Sequence, residues 1–215
     1  MKFYQKTLVV TGGNIDYEWA KGWLADRHYD FVIAADRGLA HADRLGLKVD
    51  YILGDYDSLE KGVLEKYQGT ETVTFPPEKD YTDTHLALIT AIQKGADGID
   101  VIGATGSRYD HAMTNIYNTK AALDMDIPCR IYDACNCIYL KDYNFTIKKA
   151  EQYGNYISFL PMTESVDITL EGVKYPLKDY HLKQGLSICQ SNEIIDEQAD
   201  VYIKNGVIVV FETLD

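Results

Sequence analysis

The carboxylates of Gly54-Asp55-Tyr56-Asp57-Ser58 and of Lys79-Asp80-Tyr81-Thr82-Asp83 are the side chains whose type and spacing point most directly to chemistry. Two further polar stretches join them, Asp36-Arg37-Gly38 and Gly103-Ala104-Thr105-Gly106-Ser107-Arg108-Tyr109-Asp110-His111. Each follows a strand-like run. If those strands are parallel neighbours in one sheet, all the stretches emerge at the same edge, which is where open α/β sheets bind ligands. Carboxylates about 4 Å apart repel by about 4 kcal/mol at an effective dielectric near 20, so such a cluster calls for a counter-cation. Hard oxygen donors in that arrangement suit magnesium, usually alongside substrate phosphates.

Each stretch taken alone has a plainer reading. Asp55 and Asp57 read equally as members of a polar turn, and Asp80 or Thr82 as the cap of a following helix. Lys79 beside Asp80 and Asp83, however, sets a phosphate-binding ammonium next to metal ligands, at a helix start that itself attracts anions. The glycines at 103 and 106, with Arg108, form a loop whose backbone N–H groups are able to cradle phosphate. Asp110 falls in a first helical turn, where Asp is also an ordinary stabilising residue, and His111 is given no catalytic role. The sequence lacks a P-loop, an intact Gly-x-Gly-x-x-Gly fingerprint, His-Glu-x-x-His and Gly-x-Ser-x-Gly.

The elements that must position these residues follow from the apolar pattern. Short β-rich runs are expected at Thr7 to Thr11, Phe31 to Ala35, Tyr51 to Leu53, Glu71 to Phe75, Ile99 to Gly103 and Cys129 to Tyr132. They alternate with helical patterns, as in βαβ units with a parallel sheet. The clearest helix runs from Thr84 to Lys94, with Leu86, Ile89 and Ile92 as its apolar stripe and Leu88 beside them. A second runs from Asp110 to Leu123, and Trp19 and Trp23 lie four apart on a third, where they read as packing residues.

From about Tyr143 the pattern changes to alternating runs such as Val166 to Leu170, which predicts a small antiparallel β domain. Asn205-Gly206 between Tyr202-Ile203-Lys204 and Val207 to Val210 predicts a two-residue hairpin. The fold expected is therefore α/β, an open, mostly parallel αβα sheet domain over residues 1–142 followed by a smaller antiparallel β-sandwich over 143–215.

With 215 residues the chain can bury a real core, and its formal net charge of −12 argues against nucleic-acid binding through the phosphate backbone. No signal peptide or membrane span is expected, and a cytoplasmic location is. Cys129, Cys135, Cys137 and Cys189 lack zinc-site or disulfide-framework spacing and are expected to be reduced and mostly buried. In Cys135-Asn136-Cys137, strand alternation would turn both sulfurs to one face.

Taken in order and at these spacings, the motifs resemble those of thiamine pyrophosphokinase (thiamine diphosphokinase) of the bacterial type, over almost the whole chain. The resemblance rests on Asp36 and Gly38, Gly54-Asp55-Tyr56-Asp57-Ser58, Lys79-Asp80, Thr82-Asp83, Gly106 and Arg108 to His111, with Tyr175-Pro176-Leu177 and Ser191-Asn192-Glu193 further on. It implies a nucleotide domain for magnesium and ATP, a thiamine-binding β-sandwich, and a homodimer with active sites between subunits. It further implies Asp55, Asp57 and Asp83 as magnesium ligands. Asp36, Lys79, Asp80, Thr82, Gly106 and Arg108 are implied around ATP, and Asp110, Ser191, Asn192 and Glu193 near thiamine. The implied reaction moves the pyrophosphoryl group of ATP to the thiamine hydroxyl, giving thiamine pyrophosphate and AMP.

Arg37, where the family usually has a second glycine, and Ser107, which interrupts a glycine pair, are departures that carry strain if positive φ is needed there. They are the features that favour a non-catalytic thiamine- or nucleotide-binding sensor. Asp55-Tyr56-Asp57 is also the Asp-x-Asp of nucleotide-sugar glycosyltransferases, a reading that leaves the Lys79 and Arg108 stretches unaccounted for.

Overall fold

The computed structural model describes residues 5–54, 66–74 and 80–215, and the chain divides into two compact units, residues 1–134 and 135–215. In the first unit strands β1 (Gln5–Val10), β2 (Phe31–Ala35), β3 (Tyr51–Leu53), β4 (Glu71–Val73), β5 (Ala96–Ile102) and β6 (Cys129–Tyr132) form a sheet in the order β4-β3-β2-β1-β5-β6. Every pairing in it is parallel. Because both faces of such a sheet are covered, its strands are continuously apolar: Leu8, Val9 and Val10 in β1 and Ile33 and Ala34 in β2 are fully buried.

The order of the strands reverses between β1 and β5, so their C-terminal ends diverge into a crevice.

Helices α1 (Tyr17–Ala25), α2 (Gly38–Leu45), α3 (Asp83–Gln93), α4 (Tyr109–Asn118) and α5 (Lys120–Leu123) are the α-helices among the described residues. Local chemistry fixes their ends. Asp16 Oδ1 accepts the N–H groups of Glu18 (3.0 Å) and Trp19 (3.1 Å) at the start of α1. Gly46, at φ +70°, closes α2, with Leu47 N–H donating to Ala42 C=O at 3.0 Å.

Two helical expectations are corrected. In α3 the fully buried face is Ala87, Leu88 and Ala91, while Leu86, Ile89 and Ile92 flank it half-buried. Two alanines on that face let the helix lie close against β2 and β5, so small residues rather than the largest ones mark the contact. The second predicted helix is broken at Thr119, whose hydroxyl donates back to Ile116 C=O at 2.7 Å, leaving α4 and α5. Trp19 and Trp23 do pack, their rings 5.6 Å apart.

In the second unit β7 (Asn136–Lys141), β13 (Ile208–Thr213) and β9 (Tyr156–Pro161) form one antiparallel group with β13 in the middle. A separate antiparallel sheet has the order β11-β10-β12-β8, from Leu177–Lys183, Ser165–Glu171, Gln198–Lys204 and Phe145–Lys148. Strand β10 alternates as expected, with Val166, Ile168 and Leu170 buried. This unit takes in β7 because β7 takes its partner from β13.

The C-terminal hairpin is not formed. Asn205 and Gly206 do adopt the positive φ that the turn requires (64° and 84°), but β12 and β13 enter different sheets. Val207 N–H donates to Thr163 Oγ1 (3.1 Å) and Val207 C=O accepts from Met162 N–H (2.8 Å), so the residues after β9 capture the chain just beyond the turn.

None of the four cysteines is joined in a disulfide. Cys137 is buried in β7, whereas Cys135 precedes the strand and is exposed, so the strand alternation expected for the pair does not extend to Cys135. Burial pushes the Cys189 thiol up to about 11.

Candidate functional site

A cleft of about 630 Å³, within the ordinary range for small-ligand sites, opens at the C-terminal edge of the parallel sheet, where the strand order reverses. Its walls are Thr11 to Asn14 after β1, Ala35 to Arg37 after β2, Asp80 to Thr84 at the start of α3, and Gly103 to Arg108 after β5, with His111, Ala112 and Asn115 from α4.

The loops after β1 and β5 are laced together by backbone. Thr11 N–H donates to Ile102 C=O (2.9 Å), Gly13 N–H to Gly103 C=O (2.7 Å) and Asn14 N–H to Thr105 C=O (3.0 Å). The Thr11 hydroxyl adds a bond to Gly103 C=O at 2.6 Å. Asn115, buried in α4, donates from Nδ2 to Ala104 C=O at 2.8 Å. Beneath the loop after β1, Tyr17 Oη lies 2.6 Å from His41 Nδ1. His41 also bonds the Gly13 backbone, and burial is the largest cause holding its pKa below the ordinary 6.5.

Gly13 is required by this lacing. A Cβ there would stand 2.3 Å from the carbonyl oxygens of both Gly103 and Thr105.

Asp36, Asp80, Thr82, Asp83, Gly106 and Arg108 all line this one cleft. Thr82 is also the N-cap of α3, accepting His85 N–H at 3.2 Å and facing Asn118 Nδ2 at 3.3 Å, with Asp83 in the first turn behind it. Asp55, Asp57 and Lys79 lie outside the described residues. Among the described residues no group of three or more His, Cys, Asp or Glu is assembled to hold a metal.

The backbone strain falls elsewhere than at the two departures. Arg37 is helical (φ −58°), and Ser107 has no positive φ; Asp36 does, at 48°. Aspartate tolerates that region better than most residues, and its carbonyl accepts Leu39 N–H (3.1 Å) to open α2.

Asp110 stands on the solvent side, clasped by Arg108 through Nε (3.2 Å) and an η nitrogen (2.6 Å). Those bonds are the largest cause holding its carboxyl at about 2, helped by His111 N–H. Asp110 is therefore a weak proton acceptor while the pair persists. A carboxylate whose folded pKa is depressed contributes favourably above its unfolded pKa and loses that contribution as pH falls through the folded value. The pair accordingly stays intact down to about pH 2. In a carboxyl-carbon NMR titration we expect Asp110 to titrate near that value and to return toward 3.8 in Arg108→Gln; an unmoved midpoint would separate the two residues.

In the second unit Ser191 (φ 51°) donates its N–H to Ser158 Oγ at 3.0 Å, and Glu193 pairs with Lys174 at 2.6 Å. Asn192 is only 1 % exposed. Its Oδ1 accepts the N–H groups of Tyr175 and Glu193 (both 3.0 Å), and its Nδ2 donates to Tyr175 C=O at 2.9 Å. The amide is thus spent on holding Tyr175-Pro176-Leu177 against Ser191-Asn192-Glu193.

Thr11-Gly12-Gly13-Asn14 and Asn115 went unnoticed as site residues in the sequence. The paired glycines directly after the first strand were a usable signal; Asn115, inside an ordinary helix, offered none.

The fold and the cleft define a nucleotide-type α/β enzyme unit joined to an antiparallel β-sandwich. Comparison with known proteins makes the class specific. Residues 24–131 match the family model described as thiamin pyrophosphokinase, catalytic domain, and residues 142–208 match its vitamin B1 binding domain. The thiamine pyrophosphokinase of Bacillus subtilis (strain 168) is 33% identical over 188 residues, covering 85% of this chain and 87% of that protein. A crystal structure of thiamine pyrophosphokinase from Bacillus subtilis superimposes with a TM-score of 0.88 at 28% identity, covering 98% of this chain and 100% of that one. One from Enterococcus faecalis, of the thiamin pyrophosphokinase family, gives 0.82 at 30% identity over 98% and 99%.

The chain belongs to the thiamin pyrophosphokinase family. Neither the sensor nor the glycosyltransferase reading finds support in these comparisons.

Proposed function

We propose that the cleft at the sheet edge binds ATP with magnesium and that the chain transfers the pyrophosphoryl group to thiamine. The observation that carries this reading is one cleft at the strand-order reversal, lined by glycine-rich backbone, Arg108, Asp36, Asp80 and Asp83, in a chain matched by both domains of the family.

The thiamine hydroxyl oxygen attacks the β-phosphorus, the bond from that phosphorus to the α–β bridging oxygen breaks, AMP leaves with the negative charge, and the hydroxyl proton is released to solvent. Such transfers ask the protein mainly for positioning and charge stabilisation. Backbone N–H groups of the two laced loops, with Arg108, receive the phosphates; Asp110 orients Arg108 and approaches the thiamine hydroxyl.

Asp83, Asp80 and Asp36 supply hard oxygen donors of the kind magnesium takes, and Asp83 with Asp55 and Asp57 is the proposed ligand set. When bound, the ion neutralises phosphate charge; Lys79 joins it on the nucleotide. Ser191 and Glu193 belong to the thiamine side, with Asn192 holding their loop. A homodimer and a cytoplasmic location complete the reading, and no described helix is long and apolar enough to cross a membrane.

Incubation with magnesium, ATP and thiamine, followed by chromatography, tests it: AMP and thiamine pyrophosphate are expected in equal amounts. ADP in place of AMP, or no turnover with both ligands bound, overturns the reading.

Asn192→Ala removes three hydrogen bonds from a buried site. At about 1 kcal/mol each, with a further cost for stranded backbone groups, the second unit should lose roughly 2–4 kcal/mol. The KM for thiamine should rise more than the KM for ATP. Equal rises, or an unchanged denaturation midpoint, would remove Asn192 from this role.

A further inference from the structure

We infer that Arg37 is a nucleotide-binding residue that grips the β- and γ-phosphates, the part of ATP that is transferred. The inference rests on the reading of the cleft as the ATP site. Arg37 follows β2 and lines the cleft beside Asp36, exposed to solvent. A Cβ on Gly12 would stand 2.9 Å from the Arg37 Cβ, so the stem of Arg37 passes directly over the loop after β1.

The two arginines of the cleft differ in what they already hold. Arg108 is engaged by both oxygens of Asp110. For Arg37 no carboxylate partner exists among the described residues, although the chain carries a net charge of −12.

Nor does Arg37 serve the helix it precedes. It occupies the N-cap of α2 and makes no side-chain cap bond, at a position that favours Ser, Thr, Asp or Asn. A cation at the positive end of a helix is mildly unfavourable besides. An arginine there has a local cost with no local return, and a polyanion in the cleft supplies the missing partner. A guanidinium matches phosphate oxygens two at a time and favours the end of the chain with the most charge. Arg37 and Arg108 follow strands on opposite sides of β1 and line the same cleft, so a triphosphate lying across the cleft runs from one side to the other.

The test is calorimetric titration of ATP and AMP, each with magnesium, into the wild type, Arg37→Gln and Arg37→Lys, with melting temperatures recorded alongside. Loss of a charge-assisted contact is expected to weaken ATP about tenfold or more in Arg37→Gln. AMP should change by less than about threefold, Arg37→Lys should recover part of the loss as a point charge, and the melting temperature should hold. Unchanged ATP affinity in Arg37→Gln overturns the inference. So does an equal loss for ATP and AMP, which would mean that Arg37 shapes the loop and not the phosphate contact. A wild type that binds neither nucleotide overturns the reading of the cleft itself, an outcome distinct from both.

Discussion

Asp83→Ala is expected to lower kcat for AMP formation by about 10²–10³-fold, the range seen when one preorganised electrostatic partner of a transition state is lost, with much smaller changes in stability. The asymmetry comes from where Asp83 sits. The cap of α3 is Thr82, not Asp83, so truncating Asp83 leaves the capping bond intact, and its place near the positive helix end is worth about 0.3–1 kcal/mol. Asp83 lines the cleft with Asp80 and Asp36, so loss of this proposed metal ligand acts on chemistry. Steady-state assays across a magnesium series would check this: the variant should need more magnesium and still not reach wild-type turnover. More than a tenth of wild-type kcat at saturating magnesium would take Asp83 out of the metal site.

Gly13→Ala is the second large effect, and it reaches activity through the backbone. The added methyl would lie 2.3 Å from two carbonyl oxygens, atoms that cannot turn aside because Gly103 C=O and Thr105 C=O accept Gly13 and Asn14 N–H. The loops after β1 and β5 must part. Overpacking of this kind costs about 1–3 kcal/mol, and the two lost bonds add about 1 kcal/mol each. Stability should therefore fall by roughly 3–5 kcal/mol, with ATP affinity falling further than thiamine affinity because the displaced groups wall the proposed nucleotide cleft. Urea denaturation and ATP titration are the measurements. A variant of wild-type midpoint and affinity would show that the two loops are free to separate.

These cases show what the sequence disclosed and why. Parallel strands project their following residues to one edge, so Asp36, Asp80, Asp83, Gly106 and Arg108 were recognisable from their place after strand-like runs, and the structure sets them around one cleft. Local signals failed where a partner distant in sequence decides the outcome. Asn205-Gly206 has the right turn chemistry, yet Thr163 and Met162, more than forty residues earlier, take the hydrogen bonds that a hairpin partner would have used. The resemblance sets Asn192 near thiamine; its burial against Tyr175 could not be read from spacing. Nor could the sequence show that Arg108 would be held by Asp110, two residues on, while Arg37 has no carboxylate partner among the described residues.

The central place of β13 between β7 and β9 bears on how the second unit comes into being. Its two flanking neighbours are made well before it, and both pairings join segments distant along the chain. Such high contact order slows folding. Until β13 arrives from the ribosome, β7 and β9 each present an open hydrogen-bonding edge of the kind that recruits other chains. Synthesis that stalls before Ile208 would leave a product prone to aggregation.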